Sequence, residues 1–488
     1  MNIGKSNLED RVEENFALQP TKPAIRNLNF SHFFSLWMGS IHNIPSYLTV
    51  GGFFALGLSI SEVIIVILAS AFLLSFLLQL NGHAGNKYGI PFAMLLKTSF
   101  GGKGAILPGV LRGIIAGIMW FGLQTYAGSL AITILIGQFW PAYVNLGGEW
   151  KLFGLGLTHF LSFLIFWLIN LCFALGGMKA LGKLSNVITP LVFLIFGGMS
   201  IWIIDQAGGI ASILLHDAMN ISDTNIFILL TCMSALLATW VAPILSVSDY
   251  TRYARTTVQQ SLGQFFGIMI SYVLFAAASI SIIRGTEIIF GKPIWNILDV
   301  IGEFESKLVV CLSLITICLS TLSVNIIGNI LPAINQLISL FPNLINSKSS
   351  AIIISIAGIV IMPWKLMENS TSIFTFLNIV GGLLSPVIGI MITQYFIIDK
   401  RKIDTYELYN KGDNYYSNGV NKSAILAMCI AGGISLSGHF ISALRPLYNL
   451  SFFVGIFSSI LLYLLFIFLN TFFSGKVGSS HNKRNLIK

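Results

Sequence analysis

Apolar stretches divided by short polar segments recur twelve times along the chain, at roughly 31–56, 60–80, 104–136, 156–175, 186–205, 226–247, 262–283, 308–338, 350–364, 371–397, 423–443 and 450–472. A helix needs about 20 apolar residues to cross a bilayer. Between Gly113 and Gly148 no residue is charged. The pattern predicts an all-α membrane protein with twelve transmembrane helices, numbered below as span 1 to span 12. Two of them are interrupted near their centres: span 1 by Asn43-Ile44-Pro45, ahead of Gly51-Gly52, and span 6 by Trp240-Val241-Ala242-Pro243. Proline removes a backbone donor and clashes with the preceding turn, so each break frees carbonyls and amides in a medium that cannot solvate them. A single such proline reads as a packing kink. Two at the same place in successive sets of five spans read as inverted repeats with a binding site between them at the midplane. The expected organisation is an N-tail over 1–28, a first five-helix repeat over 29–205, a second over 226–397, a loop over 398–422, helices 11 and 12 over 423–472, and a C-tail over 473–488.

Composition narrows the class further, with 55% apolar and 10% charged residues and a mean hydropathy of +0.82 over 488 residues. A soluble core of this size carries more charge. If both tails lie on one side, that side holds 21 of the 28 Lys and Arg, among them Lys87, Lys97, Lys103, Lys179, Lys183, Arg252, Arg255 and Lys400-Arg401-Lys402. The other side holds only Lys151, Arg284, Lys292, Lys307, Lys365 and Arg445. This asymmetry places both termini in the cytoplasm of a multi-pass cell-membrane protein. The net charge of +9 then reflects topology, and no nucleic-acid partner is expected, because the basic stretches lack aromatic interleaving. Five cysteines, Cys172, Cys232, Cys311, Cys318 and Cys429, fall in apolar runs and read as small packing residues. The polar first 28 residues contain no apolar core before a small-residue cleavage site, so no removable signal peptide is expected.

Ionisable residues are scarce at the midplane. Arg112, Asp205, Asp249, Lys365, Glu368 and Arg445 fall near span ends, where they are expected to snorkel or face water. His159 and His439 read as satisfied or interfacial histidines, which leaves His42 beside the span 1 break. A site for an ion would carry a counter-charge or paired dipoles; its absence argues for a neutral solute held by hydrogen bonds and stacking. Candidate contacts are Asn43, Gln124, Asn325 and Asn329, with the indoles of Trp120 and Trp240. A carboxamide both donates and accepts and so matches an amide or ureide edge without charge, while two indoles can clamp a flat ring. Amides and hydroxyls also join membrane helices, and for Asn325, Ser320 or Ser323 singly that reading weighs equally. Trp120 and Gln124, four residues apart on one helix face beside a broken span, favour a site. No nucleophile with an adjacent base, metal cluster or filter motif is evident in the spans, against an enzyme or a channel. A non-transporting membrane receptor stays open.

The segments Leu36-Trp37-Met38-Gly39-Ser40-Ile41-His42-Asn43-Ile44-Pro45, Asn81-Gly82-His83-Ala84-Gly85, Ile118-Met119-Trp120-Phe121-Gly122-Leu123-Gln124-Thr125, Asp249-Tyr250-Thr251-Arg252-Tyr253 and Pro363-Trp364-Lys365-Leu366-Met367-Glu368 resemble the nucleobase:cation symporter-1 family, and within it the bacterial carriers of allantoin. The resemblance runs from about residue 25 to 472. It implies a five-plus-five inverted-repeat fold of the leucine-transporter type with two further C-terminal helices, working by alternating access as a monomer without a cofactor. It makes Trp120 and Trp240 the faces of a sandwich, Gln124 and Asn329 the principal hydrogen-bond partners, Asn43 a further amide, and Thr239 a residue whose backbone faces the ligand. The function it implies is import of allantoin, a neutral ureide; a related hydantoin, nucleobase or purine is the alternative. Sodium-coupled members surround the ion with groups that match Gly39, His42, Ser320, Ser323 and Val324 here. Sodium needs several oxygen ligands, and Val324 offers none from its side chain. The expectation is therefore coupling to protons, or weakly to any ion, with sodium the less favoured and His42 the nearby group that titrates near neutral pH. The stretch from Thr375 to Ile390 in span 10, with Gly381-Gly382 and Gly389, is expected to act as a lid.

Overall fold

The computed structural model describes residues 18–176, 178–218, 225–292, 294, 297–341, 344–367, 370–411 and 416–474. Most of the expected N-tail and C-tail, and Glu368, lie outside the described residues. All twelve apolar stretches are helical. Among the described residues, eight helices are long and apolar enough to span a bilayer without interruption: Ile60–Tyr88, Ile106–Phe139, Leu157–Gly176, Thr257–Phe290, Lys307–Leu340, Ser372–Ile398, Lys422–Phe440 and Ser451–Phe472. These are spans 2, 3, 4, 7, 8, 10, 11 and 12. Span 5 is Met178–Gln206. Span 9 is a short helix, Ser347–Val360, ending four residues before the expected limit. Met362 there adopts a φ of 50°, and Pro363 opens a separate turn over Pro363–Met367.

The two breaks fall where the prolines place them. Span 1 is Phe30–Ile41 followed by Ile44–Ala55, with Pro45 in the first turn of the second half, where its missing N–H costs nothing. Span 6 is Ile226–Ala238 followed by Val241–Thr251, bent by 53°. Three continuous spans carry widened π turns, over Val110–Ala116 in span 3, Ile326–Ile330 in span 8 and Thr393–Ile398 in span 10. Such turns release backbone carbonyls and are frequent at functional sites.

Small residues decide how closely the spans approach. Along span 3, Gly109, Gly113 and Gly117 face span 8; a methyl at Gly117 would stand 3.0 Å from the Ala333 methyl and 3.3 Å from the Asn329 carbonyl, and one at Gly113 would strike Gln336. This stripe brings Trp120 and Gln124 opposite Asn325 and Asn329. Gly113→Val is expected to cost about 1–3 kcal/mol by overpacking, lowering the melting temperature of the detergent-solubilised protein and its uptake together; an unchanged melting temperature counts against the stripe. In span 7, methyls at Gly263 and Gly267 would meet the carbonyls of Phe30 and Phe34 at 2.5 and 2.8 Å, which seats the first half of span 1. Gly381, Gly382 and Gly389 sit at close approaches of span 10 to spans 6, 11 and 12. In this conformation they serve packing, and the helix runs unbroken through the segment expected as a lid.

Candidate substrate-binding site

A narrow chamber with a cavity volume of about 30 Å³ lies between the two breaks and spans 3 and 8. All six residues expected to touch the solute, Asn43, Trp120, Gln124, Thr239, Trp240 and Asn329, line it. Pro45, Ser46, Pro243, Val324 and Gly328 complete the wall. The chamber is occluded: Trp120, Trp240 and Asn329 are each 5% exposed and Gln124 is 3% exposed. Each indole is supported by another ring, Trp120 edge-on to Phe376 of span 10 at 5.0 Å and Trp240 edge-on to Trp37 of span 1 at 5.8 Å. The Trp120 Nε1 and Gln124 Oε1 atoms are buried with no protein partner. A buried polar atom left unpaired costs about 1–3 kcal/mol, and a solute carrying an acceptor and a donor removes that cost.

Not every amide faces the solute freely. The Asn43 carbonyl oxygen accepts from the Ser46 N–H and hydroxyl, both at 3.1 Å, and its Nδ2 donates to the Ser40 carbonyl at 2.9 Å. It caps the second half of span 1 and stitches the two halves together. Thr239 donates its hydroxyl to the Leu236 carbonyl at 2.6 Å, closing the first half of span 6. Asn329 donates through Nδ2 to Asn325 Oδ1 at 2.9 Å.

Of the residues expected around a cation, Gly39, His42 and Ser320 come together. The Ser320 hydroxyl reaches the carbonyls of His42 at 2.7 Å and Gly39 at 3.1 Å, the two oxygens released by the span 1 break. Ser323 is buried one turn further on, and Val324 faces the solute chamber. The His42 ring does not line the chamber. Its Nδ1 is 2.9 Å from the Tyr47 hydroxyl, and the ring lies against Phe196 at 5.0 Å and Phe275 at 5.7 Å.

Arg112 corrects an expectation. Placed by the sequence at a water-facing span end, it is 0% exposed. Its Nε donates to the Ala242 carbonyl at 2.6 Å, and its Nη2 to Ser246 Oγ at 2.7 Å and the Gly328 carbonyl at 2.9 Å. These acceptors belong to the second half of span 6 and the π turn of span 8. Tyr250 adds a bond of the same kind from span 6, its hydroxyl donating to the Ile327 carbonyl at 2.5 Å. His159 and His439 are exposed, consistent with the interfacial reading.

A buried, uncharged chamber inside a helical bundle, walled by two broken spans, is the arrangement of a membrane carrier of small polar solutes. The chain belongs to the family of permeases for cytosine/purines, uracil, thiamine and allantoin, which matches residues 21–455. A permease of Escherichia coli (strain K12) is 43% identical over 92% of this chain and 93% of its own length. The allantoin permease of Bacillus subtilis (strain 168) is 39% identical over 95% of each chain. Among solved structures, Mhp1, a nucleobase-cation-symport-1 family transporter in a closed conformation with bromovinylhydantoin bound, superposes with a TM-score of 0.76 at 22% identity, covering 93% of this chain and 96% of that one. The fold is thus the five-plus-five inverted repeat with two added helices.

Proposed function

We propose that this protein imports allantoin across the cell membrane by alternating access. The observation that carries the reading is the chamber itself: two indoles, two buried polar atoms without protein partners, and carboxamides from spans 3 and 8, with no carboxylate in its wall. A neutral ureide ring presents N–H and C=O groups in one plane, which suits paired amides without a counter-charge. The resemblance to a permease for that solute supports the choice. The same reading takes 29–205 and 226–397 as the inverted repeats, both termini as cytoplasmic, and the working unit as a monomer.

On coupling, the reading is uptake without a sodium requirement, driven by protons or only weakly tied to an ion. The support is local. The Ser320 hydroxyl gives its one proton to the His42 carbonyl at 2.7 Å, with the Gly39 carbonyl at 3.1 Å beside it, and Val324 supplies no oxygen. His42, enclosed by Tyr47, Phe196 and Phe275, fits a structural role at the break better than passage of a proton through the chamber.

Uptake of labelled allantoin by cells expressing the protein, competed with hydantoin, uracil, cytosine and hypoxanthine, tests the substrate. Allantoin as the strongest competitor supports the assignment, and a nucleobase in that place overturns it. Counterflow in vesicles separates a carrier, which exchanges and saturates, from a receptor, which moves nothing.

A further inference from the structure

We infer that Tyr250 and Arg112 are paired positioning residues that hold the cytoplasmic end of the chamber shut by gripping successive carbonyls of the span 8 π turn, so that weakening either grip shifts the carrier toward an inward-open state with no solute bound. The inference rests on the reading of the protein as an alternating-access carrier with cytoplasmic termini. Spans 3, 4, 8 and 9 pack on one another, and spans 1, 2, 6 and 7 do the same. The chamber lies where these two groups meet, and opening either end of it means parting them there. The end toward the start of span 3 is crossed by side-chain hydrogen bonds. From span 3, Arg112 Nε donates to the Ala242 carbonyl at 2.6 Å and Nη2 to Ser246 Oγ at 2.7 Å, both on the second half of span 6. From that same half, the Tyr250 hydroxyl donates to the Ile327 carbonyl of span 8 at 2.5 Å. Arg112 Nη2 also takes the next carbonyl, that of Gly328, at 2.9 Å.

Ile327 and Gly328 stand in the widened turn Ile326–Ile330, and the residue that follows them, Asn329, lines the chamber. The grip on the turn and the wall of the chamber thus share one short stretch of backbone. The outer end is closed differently, by rings of span 10. Phe374 covers Gly52, where an added methyl would stand 2.5 Å from it, and Phe376 lies edge-on to Trp120 at 5.0 Å. Apolar contact has no direction and survives small displacements, whereas a hydrogen bond weakens steeply once it is bent. The end fixed in a single register is therefore the cytoplasmic one. Tyr250 belongs to the segment Asp249-Tyr250-Thr251-Arg252-Tyr253, no member of which lines the chamber; closing that end gives the segment a role.

The test uses the full-length carrier with Val324→Cys, a thiol on the chamber wall, in sealed vesicles of each orientation and with no solute added. A charged, membrane-impermeant thiol reagent is applied from one face at a time, and the protein without that substitution gives the background of the five native cysteines. Adding Tyr250→Phe, which removes one hydroxyl and nothing else, is expected to raise labelling from the cytoplasmic face about fivefold and to lower it from the outer face, the shift that one lost hydrogen bond produces. Arg112→Met is expected to raise it further, and Arg112→Lys, which keeps a donor for these carbonyls, to stay nearer the Val324→Cys carrier. Melting temperatures check that each variant folds; if Arg112→Met does not, Tyr250→Phe decides alone. A folded Tyr250→Phe carrier that labels as before, or that gains equally from both faces or only from the outer one, overturns the inference and leaves these bonds as static stitches between helices. Because no solute is present, loss of the allantoin assignment in the competition series leaves the result standing. A thiol at 324 that neither face reaches in any variant overturns both the inference and alternating access.

Discussion

Trp120→Ala and Gln124→Ala are each expected to reduce allantoin uptake to background while the protein still reaches the membrane. Removing the indole takes away one stacking face and the edge contact with Phe376 at 5.0 Å. Removing the amide takes away an acceptor that nothing in the protein uses. Each loss amounts to about 1–3 kcal/mol of solute binding, or about fivefold to more than a hundredfold. Trp120→Phe is expected to retain partial uptake. Gln124→Leu sharpens the case, because the unpaired oxygen is a liability in the empty protein. That variant is expected to melt higher than the wild type and transport nothing, a trade common where a site is built for a ligand. Normal uptake by both alanine variants removes the chamber as the transport site, and a lower melting temperature for Gln124→Leu shows its amide to be structural.

Replacing external sodium with a large organic cation is expected to leave allantoin uptake within about twofold, since Val324 offers no side-chain oxygen to complete a ligand set around the break carbonyls and Ser320. Ser320→Ala leaves those carbonyls without their donor. The expected outcome is a tenfold or larger loss of uptake that sodium does not restore. Adding Val324→Thr to Ser320→Ala supplies a hydroxyl oxygen one turn further along span 8 and is expected to return part of the uptake in a sodium-dependent form. Wild-type uptake that requires sodium and ignores pH refutes this account of coupling.

The chamber was legible because its signals are local. Pro45 and Pro243 stand in the first helical turn after each break, and Trp120 with Gln124 share a helix face at a spacing that sequence alone displays. What stayed hidden depends on partners distant in the chain. Arg112 reads as a residue near water because it falls toward the end of span 3; two of its acceptors are backbone carbonyls, at Ala242 and Gly328, which carry no side-chain signature. Asn43 lines the chamber and, as the residue before a helix start, also caps the second half of span 1. The early end of span 9 follows from the positive φ of Met362, a backbone state that composition does not encode.

The guanidinium of Arg112 carries a further consequence. It cannot shed its proton, and its three acceptors come from spans 6 and 8, on the far side of the chamber floor. Any movement that draws Val241–Thr251 away from span 3 strips a permanent cation of two bonds inside a medium of low permittivity, a state that water must relieve at once. Wetting of the floor and its parting are then one event, and the barrier to releasing cargo includes the work of hydrating a single arginine.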